Sequence, residues 1–163
     1  MKINHLIIYC FVLLVAIGCK PLDVSTSSYY PSSTTYMNDE GDGSLTLRAY
    51  GHGRNRSDAI EQAAKNAVRD VIFKGVNVPG NPLLSKPLVT VVNAEEKFQE
   101  FFNKFFTDGG AYSRFVTKKD RRMGSNNKEI NTMQVKLSTT VRVLRSDLKQ
   151  YLIKHEIIPQ QTK

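Results

Sequence analysis

The sequence contains few of the side chains that carry out catalysis or hold metal ions. Its 163 residues include two cysteines and three histidines. Beyond the apolar N-terminus the histidines are His52 and His155, and no Ser/His/Asp grouping or metal-ligand spacing accompanies them. Catalytic triads and metal centres both need such groupings. We therefore predict a protein that is not an enzyme and that needs no metal ion or cofactor.

Long hydrophobic runs are also lacking. The apolar run Leu6 to Ile17 is too short to span a bilayer, which takes roughly 20 residues. Lys2 precedes this run and Gly18-Cys19 follows it, which is the order of an export signal. We predict that residues 1–18 are a signal peptide. Its removal would take Cys10 with it and leave one cysteine, which excludes an internal disulfide.

The segment VAIGC, residues 15–19, resembles the lipobox of bacterial lipoproteins. In that family the cysteine thiol receives a diacylglyceryl group, and after cleavage its new amine is acylated. The resemblance implies that Gly18 is the last residue removed and that Cys19 is lipidated, although Ala16 stands where the family usually has leucine. Several acyl chains anchor a protein stably. A location in the bacterial cell envelope follows, with the outer membrane as the expected membrane.

Acidic residues are the minority charge, 15 against 23 lysines and arginines. Residues 20–43 nevertheless carry a net charge of −3, whereas residues 44–163 carry 21 basic and 11 acidic side chains, a net charge of +10. The acidic segment is rich in Ser, Thr, Pro and Gly, and such composition buries too little apolar surface to fold. We predict a lipidated cysteine and flexible tether over 19–43, a single domain over 44–158, and a frayed tail over 159–163.

Alternation of apolar and polar residues predicts half-buried strands. It is clear at Leu45, Leu47 and Ala49 and again from Val135 to Val143, and Gly51 and Gly53 are expected to end the first strand. The predicted strands cover residues 45–50, 88–92, 111–122 and 129–144. Between them, residues 74–92 contain three prolines and are expected to form an irregular loop.

Helical periodicity marks three further segments. In the first, Ile60 to Ile72 place alanines and β-branched residues on one stripe, with Ser57 or Asp58 as the cap. Asp58 and Glu61 have the spacing of a capping box. The second runs from Asn93, its expected cap, to Gly109, and the third starts at Ser146. The order β-α-α-β-β-α predicts an α+β fold of two layers. An antiparallel sheet of about three or four strands carries the helices on one face.

Residues 50–72, YGHGRNRSDAIEQAAKNAVRDVI, resemble a motif of small bacterial envelope domains. In these domains a strand ends in Gly-x-Gly and a helix follows with alanines three and four residues apart. The N-terminal domain of the flagellar assembly protein T and related short envelope lipoproteins are similar. The resemblance implies an α+β envelope module that binds or assembles rather than catalyses.

The Gly51-x-Gly53 turn is one candidate site, because helix N-termini attract anions through free amides. Arg54 and Arg56 stand beside it, so Gly51, Gly53, Arg54 and Arg56 are candidate anion-binding residues. Arg56 occupies the place of the third glycine of a dinucleotide fingerprint, which excludes that fingerprint. The alternative is that the glycines relieve a tight turn.

A basic cluster is the second candidate, as a surface for a polyanion or a protein partner. It comprises Lys118, Lys119, Arg121, Arg122 and Lys128. Nucleic acid is not an expected partner of an exported protein, so an envelope protein or an anionic glycan is favoured. A solvated hairpin tip, whose charges discourage edge pairing, is the alternative.

The phenylalanines from Phe98 to Phe106 form the third feature. Their spacing favours core packing, and Phe106 is expected outside the main stripe, where an exposed ring would mark a partner surface.

The favoured function is a membrane-anchored, non-catalytic binding or assembly protein. The alternatives are a small envelope enzyme with a site near residues 51–56 and a self-assembling lipoprotein that forms homo-oligomers.

Overall fold

Strand β2, Leu45–Gly53, lies at the centre of an antiparallel sheet. A computed structural model describes residues 34–118, 129–131 and 134–159 of the chain. The sheet has the order β1-β2-β5-β3, and β4 also pairs with β5. Because β2 occupies one edge of β5 along its length, β3 and β4 share the opposite edge at its two ends. The remaining strands are β1 (Thr35–Asp39), β3 (Val116–Thr117), β4 (Glu129–Asn131) and β5 (Gln134–Val143).

The register of β2 on β5 gives the sheet one apolar and one polar face, since alternate residues point to opposite sides. The pairs Leu45–Val143 and Leu47–Val141 lie on the apolar face, and all four side chains are buried. The polar face carries the pairs Thr46–Arg142, Arg48–Thr140, Tyr50–Ser138 and His52–Lys136. The alternation predicted from the sequence for these two strands is confirmed.

Helix α1, Arg56–Phe73, packs on the apolar face against β2 and β5. Its contact stripe includes Ala59, Ala63, Ala64 and Ala67, each completely buried. Small side chains let the helix axis come close to the sheet. The other helical segments are α2 (Pro82–Ser85), α3 (Ala94–Lys97), α4 (Gln99–Phe105), a 3-10 helix (Ala111–Phe115) and α5 (Arg145–Lys154). The α+β fold predicted from the sequence is confirmed.

One hydrophobic core joins the sheet to α1, α4, the 3-10 helix and α5. It combines the apolar residues of β2, β5 and α1 with Phe102, Phe105, Tyr112, Leu148 and Leu152, each at most 2% exposed. Burying a large apolar side chain contributes about 1.5–3 kcal/mol. The phenylalanine-bearing segment and the terminal helix are therefore integral to the domain.

The domain begins earlier than the sequence predicts. Residues 35–43, assigned to the tether, form β1 and the turn into β2. The acidic residues of this segment, which contributed to the prediction of a tether, make contacts within the domain. Asp42 accepts hydrogen bonds from the backbone and hydroxyl of Ser44, which hold the pKa of Asp42 below its usual value. Arg142 donates to the same carboxylate at 2.5 Å.

The ends of α1 and β2 also differ from the prediction. Gly51 and Gly53 lie within β2, which continues through both. Asn55 caps α1, its side chain accepting from the Asp58 amide at 2.9 Å, so Ser57 and Asp58 lie inside the first turn. Sequence alone favours any of several polar residues near a helix start, and the extended backbone at Asn55 selects one.

The segments after α1 are more broken than their periodicity suggests. Phe98 separates α3 from α4, and Asn93 adopts a left-handed conformation with no side-chain cap bond. Residues 88–92 form no strand, because the amides of Leu88 and Val89 donate instead to the carbonyls at the end of α1. The strand predicted over residues 111–122 is present only at Val116–Thr117, and the 3-10 helix precedes it. Residues 119–122 of that prediction lie outside the described residues.

Asp70 on α1 is a buried carboxylate that fastens the start of β1. It is 4% exposed and accepts from the Thr34 amide at 3.1 Å and the Thr34 hydroxyl at 2.5 Å. Lys74 lies 3.0 Å from its other oxygen. We expect Asp70→Ala to lower the free energy of unfolding by about 2–3 kcal/mol, because the half-buried Thr34 loses two hydrogen bonds to a charged acceptor. Urea denaturation measures this loss, and hydrogen exchange should show β1 opening first.

Asp58→Ala is the control for this variant. Asp58 pairs with Arg54, whose side chain is 92% exposed. Exposed pairs contribute about 0–1 kcal/mol, so this change should cost little. Equal losses in the two variants would contradict the role given to Asp70.

Candidate functional surfaces

The Gly51–Arg56 segment is shaped by packing between β2 and α1. A Cβ atom on Gly51 would lie 2.1 Å from the Ala59 carbonyl oxygen and 2.4 Å from the Ala63 nitrogen. One on Gly53 would lie 2.5 Å from the Asp58 Cβ. No side chain fits at either position, which accounts for both glycines without a ligand.

The polar groups beside these glycines are engaged within the chain. Asn55 accepts from the Asp58 amide, and Arg54 Nε lies 3.2 Å from Asp58 Oδ2. Arg56 is exposed in the first turn of α1. The negative charge of Asp58 at this helix N-terminus already complements the helix dipole. An added anion would have to compete with it.

An enzyme site near residues 51–56 would have to join His52, Arg54 or Arg56 to a carboxylate, with Asp58, Asp120 and Glu129 as the candidates. His52 lies on the polar face of the sheet and Asp58 on α1, which covers the opposite face. Glu129 shares a cross-strand row with Lys136 and His52, and Asp120 lies outside the described residues. Within the described ranges, no three His, Cys, Asp or Glu side chains are grouped as metal ligands would be.

Of the predicted basic cluster, Lys118 is described and the other four residues lie outside the described residues. Lys118 Nζ lies 2.6 Å from Glu61 Oε2, and the Tyr112 hydroxyl donates to Oε1 of the same carboxylate. Glu61, expected to complete a capping box, instead ties α1 to the 3-10 helix and β3.

The phenylalanine segment is mainly core, as predicted. Phe102 and Phe105 are each 2% exposed, while Phe101 and Phe106 are half-buried. Phe101 stacks on Phe105 with ring centres 5.7 Å apart. Phe106 lies at the surface end of this cluster, with the Arg69 guanidinium 5.0 Å from its ring centre.

Phe106 forms one wall of a groove along the solvent side of α1. We call this groove, lined by Gln62, Lys65, Asn66, Arg69 and Phe106, the α1 groove; its volume is 340 Å³. The four α1 residues have i, i+3, i+4, i+7 spacing and so lie on one side of the helix. None of the sites predicted from the sequence includes these four residues, although their spacing makes them the polar complement of the apolar stripe.

Two ion pairs and an amide chain order the α1 groove. Lys65 Nζ lies 2.5 Å from Asp108 Oδ1, and Arg69 lies 2.5 Å from Glu95 Oε1. The hydrogen bond and positive charge of Lys65 hold the pKa of Asp108 below its usual value. Gln62 donates to Asn66, which in turn donates to the Tyr50 carbonyl. The chemistry gathered here is two cations, two amides and one aromatic ring.

The polar face of the sheet is a second basic surface, with Arg48, Lys136 and Arg142 on neighbouring strands. Arg142 is held by Asp42 and by the Ser44 hydroxyl, which accepts from its Nε at 2.7 Å. A sheet face of this kind is broad and shallow. It suits electrostatic contact with a large partner better than capture of a small ligand.

No protein-family model, curated protein or solved structure matches this chain. Among the helices of the described residues, none combines the length and the apolar character needed to cross a membrane. The α+β class is therefore defined by the fold itself.

Proposed function

We propose that this protein is a bacterial envelope lipoprotein whose domain binds a negatively charged envelope partner and does not catalyse a reaction. The single observation that carries the proposal is the segment VAIGC directly after a short apolar run. Cleavage after Gly18 would leave Cys19 as the only cysteine, and acylation explains its presence. Several acyl chains hold a protein stably in a membrane. We place the anchor in the outer membrane.

The anchor at Cys19 would keep the domain at the membrane. The domain includes Thr34, which is bound to Asp70. Its partner would be another component of the envelope close to the membrane.

The charge of the domain supports a negatively charged partner. With Asp39, Glu40 and Asp42 included in the domain, residues 34–163 carry 21 basic and 14 acidic side chains, a net charge of +7. Arginines and lysines line both the α1 groove and the polar face of the sheet. A field of one sign attracts partners of the other and speeds their association. The candidates are an acidic envelope protein and an anionic glycan.

Intact-mass measurement of the protein from the membrane fraction, beside a Cys19→Ala variant, tests the anchor. We expect a mature chain that starts at Cys19 and carries acyl mass, and we expect the variant to lose that mass and leave the membrane fraction. One diacylglyceryl group and one N-linked chain bury enough methylenes, at about 0.8 kcal/mol each, to make this loss nearly complete.

Cys10→Ala is the matched control, because it changes the other cysteine and leaves the VAIGC segment intact. It should retain both acyl mass and membrane location. An unacylated wild-type chain, or a Cys19→Ala variant that stays in the membrane fraction, would refute the proposal.

A further inference from the structure

The α1 groove combines features that recognise a sugar bearing a negative charge. We propose that it binds an anionic saccharide, of the class that carries a carboxylate or a phosphate on the ring. This inference deepens the proposed function, on which it rests, by naming the partner class and the site.

The cations would bind the anionic group. Lys65 and Arg69 are one helical turn apart on the same side of α1, so both can reach one carboxylate or phosphate. The guanidinium of Arg69 lies over the ring of Phe106, 5.0 Å from its centre, and this contact restricts its position. A guanidinium held in a fixed plane is suited to a bidentate bond with an anionic group.

The acids that now hold these cations are displaceable. Asp108 is 93% exposed and Glu95 is 48% exposed. The Arg69–Glu95 pair is exposed at both partners and contributes little, since water competes for both. Lys65 is only 15% exposed, but water competes for its partner Asp108. A ligand anion could therefore take their place on Lys65 and Arg69 at small cost.

The amides would bind ring hydroxyls. Gln62 uses one N–H in its bond to Asn66 at 3.0 Å, and its carbonyl oxygen and second N–H remain to face a ligand. Asn66 is fixed at both ends of its amide, by Gln62 and by the Tyr50 carbonyl. Phe106, which is half-buried and holds the Arg69 guanidinium over its ring, contributes apolar surface to the lining beside these amides.

Charge sets this groove apart from a second depression among the described residues. The volume of the α1 groove, 340 Å³, falls at the lower end of ligand sites, about 300–1,000 Å³. The depression over residues 77–85 is larger, at 440 Å³, but no charged side chain lines it. The α1 groove alone of these two can pair with an anion.

Saturation-transfer NMR on the full-length protein in a zwitterionic detergent tests the proposal, with glucuronate and glucose as the observed probes and inorganic phosphate, which has no carbon-bound protons, measured as a competitor of glucuronate. We expect saturable binding of glucuronate in about the millimolar range, and binding of glucose and of phosphate at least several-fold weaker. Arg69→Gln should weaken glucuronate binding about tenfold, the loss of one charge-assisted hydrogen bond.

Arg114→Gln is the matched control, since Arg114 is also an exposed arginine over an aromatic ring, 5.1 Å from the ring centre of Tyr151, and does not line the α1 groove. It should leave the affinity unchanged. If Arg69→Gln lowers the thermal stability, Gln62→Ala gives the same test by removing a hydroxyl-binding amide. The proposal is wrong if glucuronate does not saturate, if phosphate alone binds as tightly, or if Arg114→Gln causes an equal loss. In that case, acyl mass on the same preparation would show that the proposed lipid anchor is correct and that only the saccharide site is wrong.

Discussion

Replacing Gly51 by alanine is expected to lower the free energy of unfolding by at least about 3 kcal/mol. The new Cβ would lie 2.1 Å from the Ala59 carbonyl oxygen and 2.4 Å from the Ala63 nitrogen, both backbone atoms of α1. Neither can rotate away, so the whole helix must shift off the sheet. Overpacking of this kind costs about 1–3 kcal/mol or more. Urea denaturation followed by circular dichroism measures the effect.

Gly80→Ala is the matched control for this substitution. Nothing lies within 4 Å of a Cβ at Gly80, although its φ of +77° belongs to the left-handed region. The expected cost is therefore about 1–2 kcal/mol of backbone strain. Equal losses at Gly51 and Gly80 would mean that the close approach of α1 to β2 does not require a glycine.

Phe102→Ala is the second substitution with a large expected effect. The side chain is 2% exposed. Its ring lies against four others, those of Phe73, Phe101, Phe105 and Phe106, at centre distances of 4.8, 5.1, 6.5 and 6.2 Å. Removing a buried phenylalanine costs about 3–5 kcal/mol, since the transfer free energy is lost and a cavity remains. A single-domain protein is stable by about 5–15 kcal/mol, so the variant should be marginally folded.

The control for Phe102 is Leu83→Ala, because Leu83 is 75% exposed. Its loss should stay within about 0.5 kcal/mol. Thermal unfolding of both variants provides the comparison. A mild loss at Phe102 would show that the aromatic cluster closes around the missing ring, and the core role of the segment would then need revision.

Local patterns in the sequence predicted the parts of the fold that depend on one element at a time. The alternation in β2 and β5 and the alanine stripe of α1 each follow from the period of a single element with one buried face. The phenylalanine stripe identified core residues for the same reason. Its periodicity did not reveal the break at Phe98, because a short deviation of the backbone leaves a 3.6-residue pattern almost intact.

The candidate sites depended on contacts between elements and were harder to predict. Gly51 and Gly53 suggested a ligand turn, but what they accommodate is the backbone of α1. Glu61 suggested a capping box, but its carboxylate bonds Tyr112 and Lys118, 51 and 57 residues away. Residue type and spacing do not report such distant partners.

By itself, the sequence determined the α+β class, the two faces of the sheet, and the lipobox-like segment ending at Cys19. These are properties of consecutive residues, and periodicity or a short motif is enough to reveal them. The tertiary structure decided that residues 34–43 belong to the domain, because Asp70 and Arg142 reach them from distant elements. It also decided where Gln62, Lys65, Asn66 and Arg69 meet Phe106, since a groove exists only once two separate segments pack side by side.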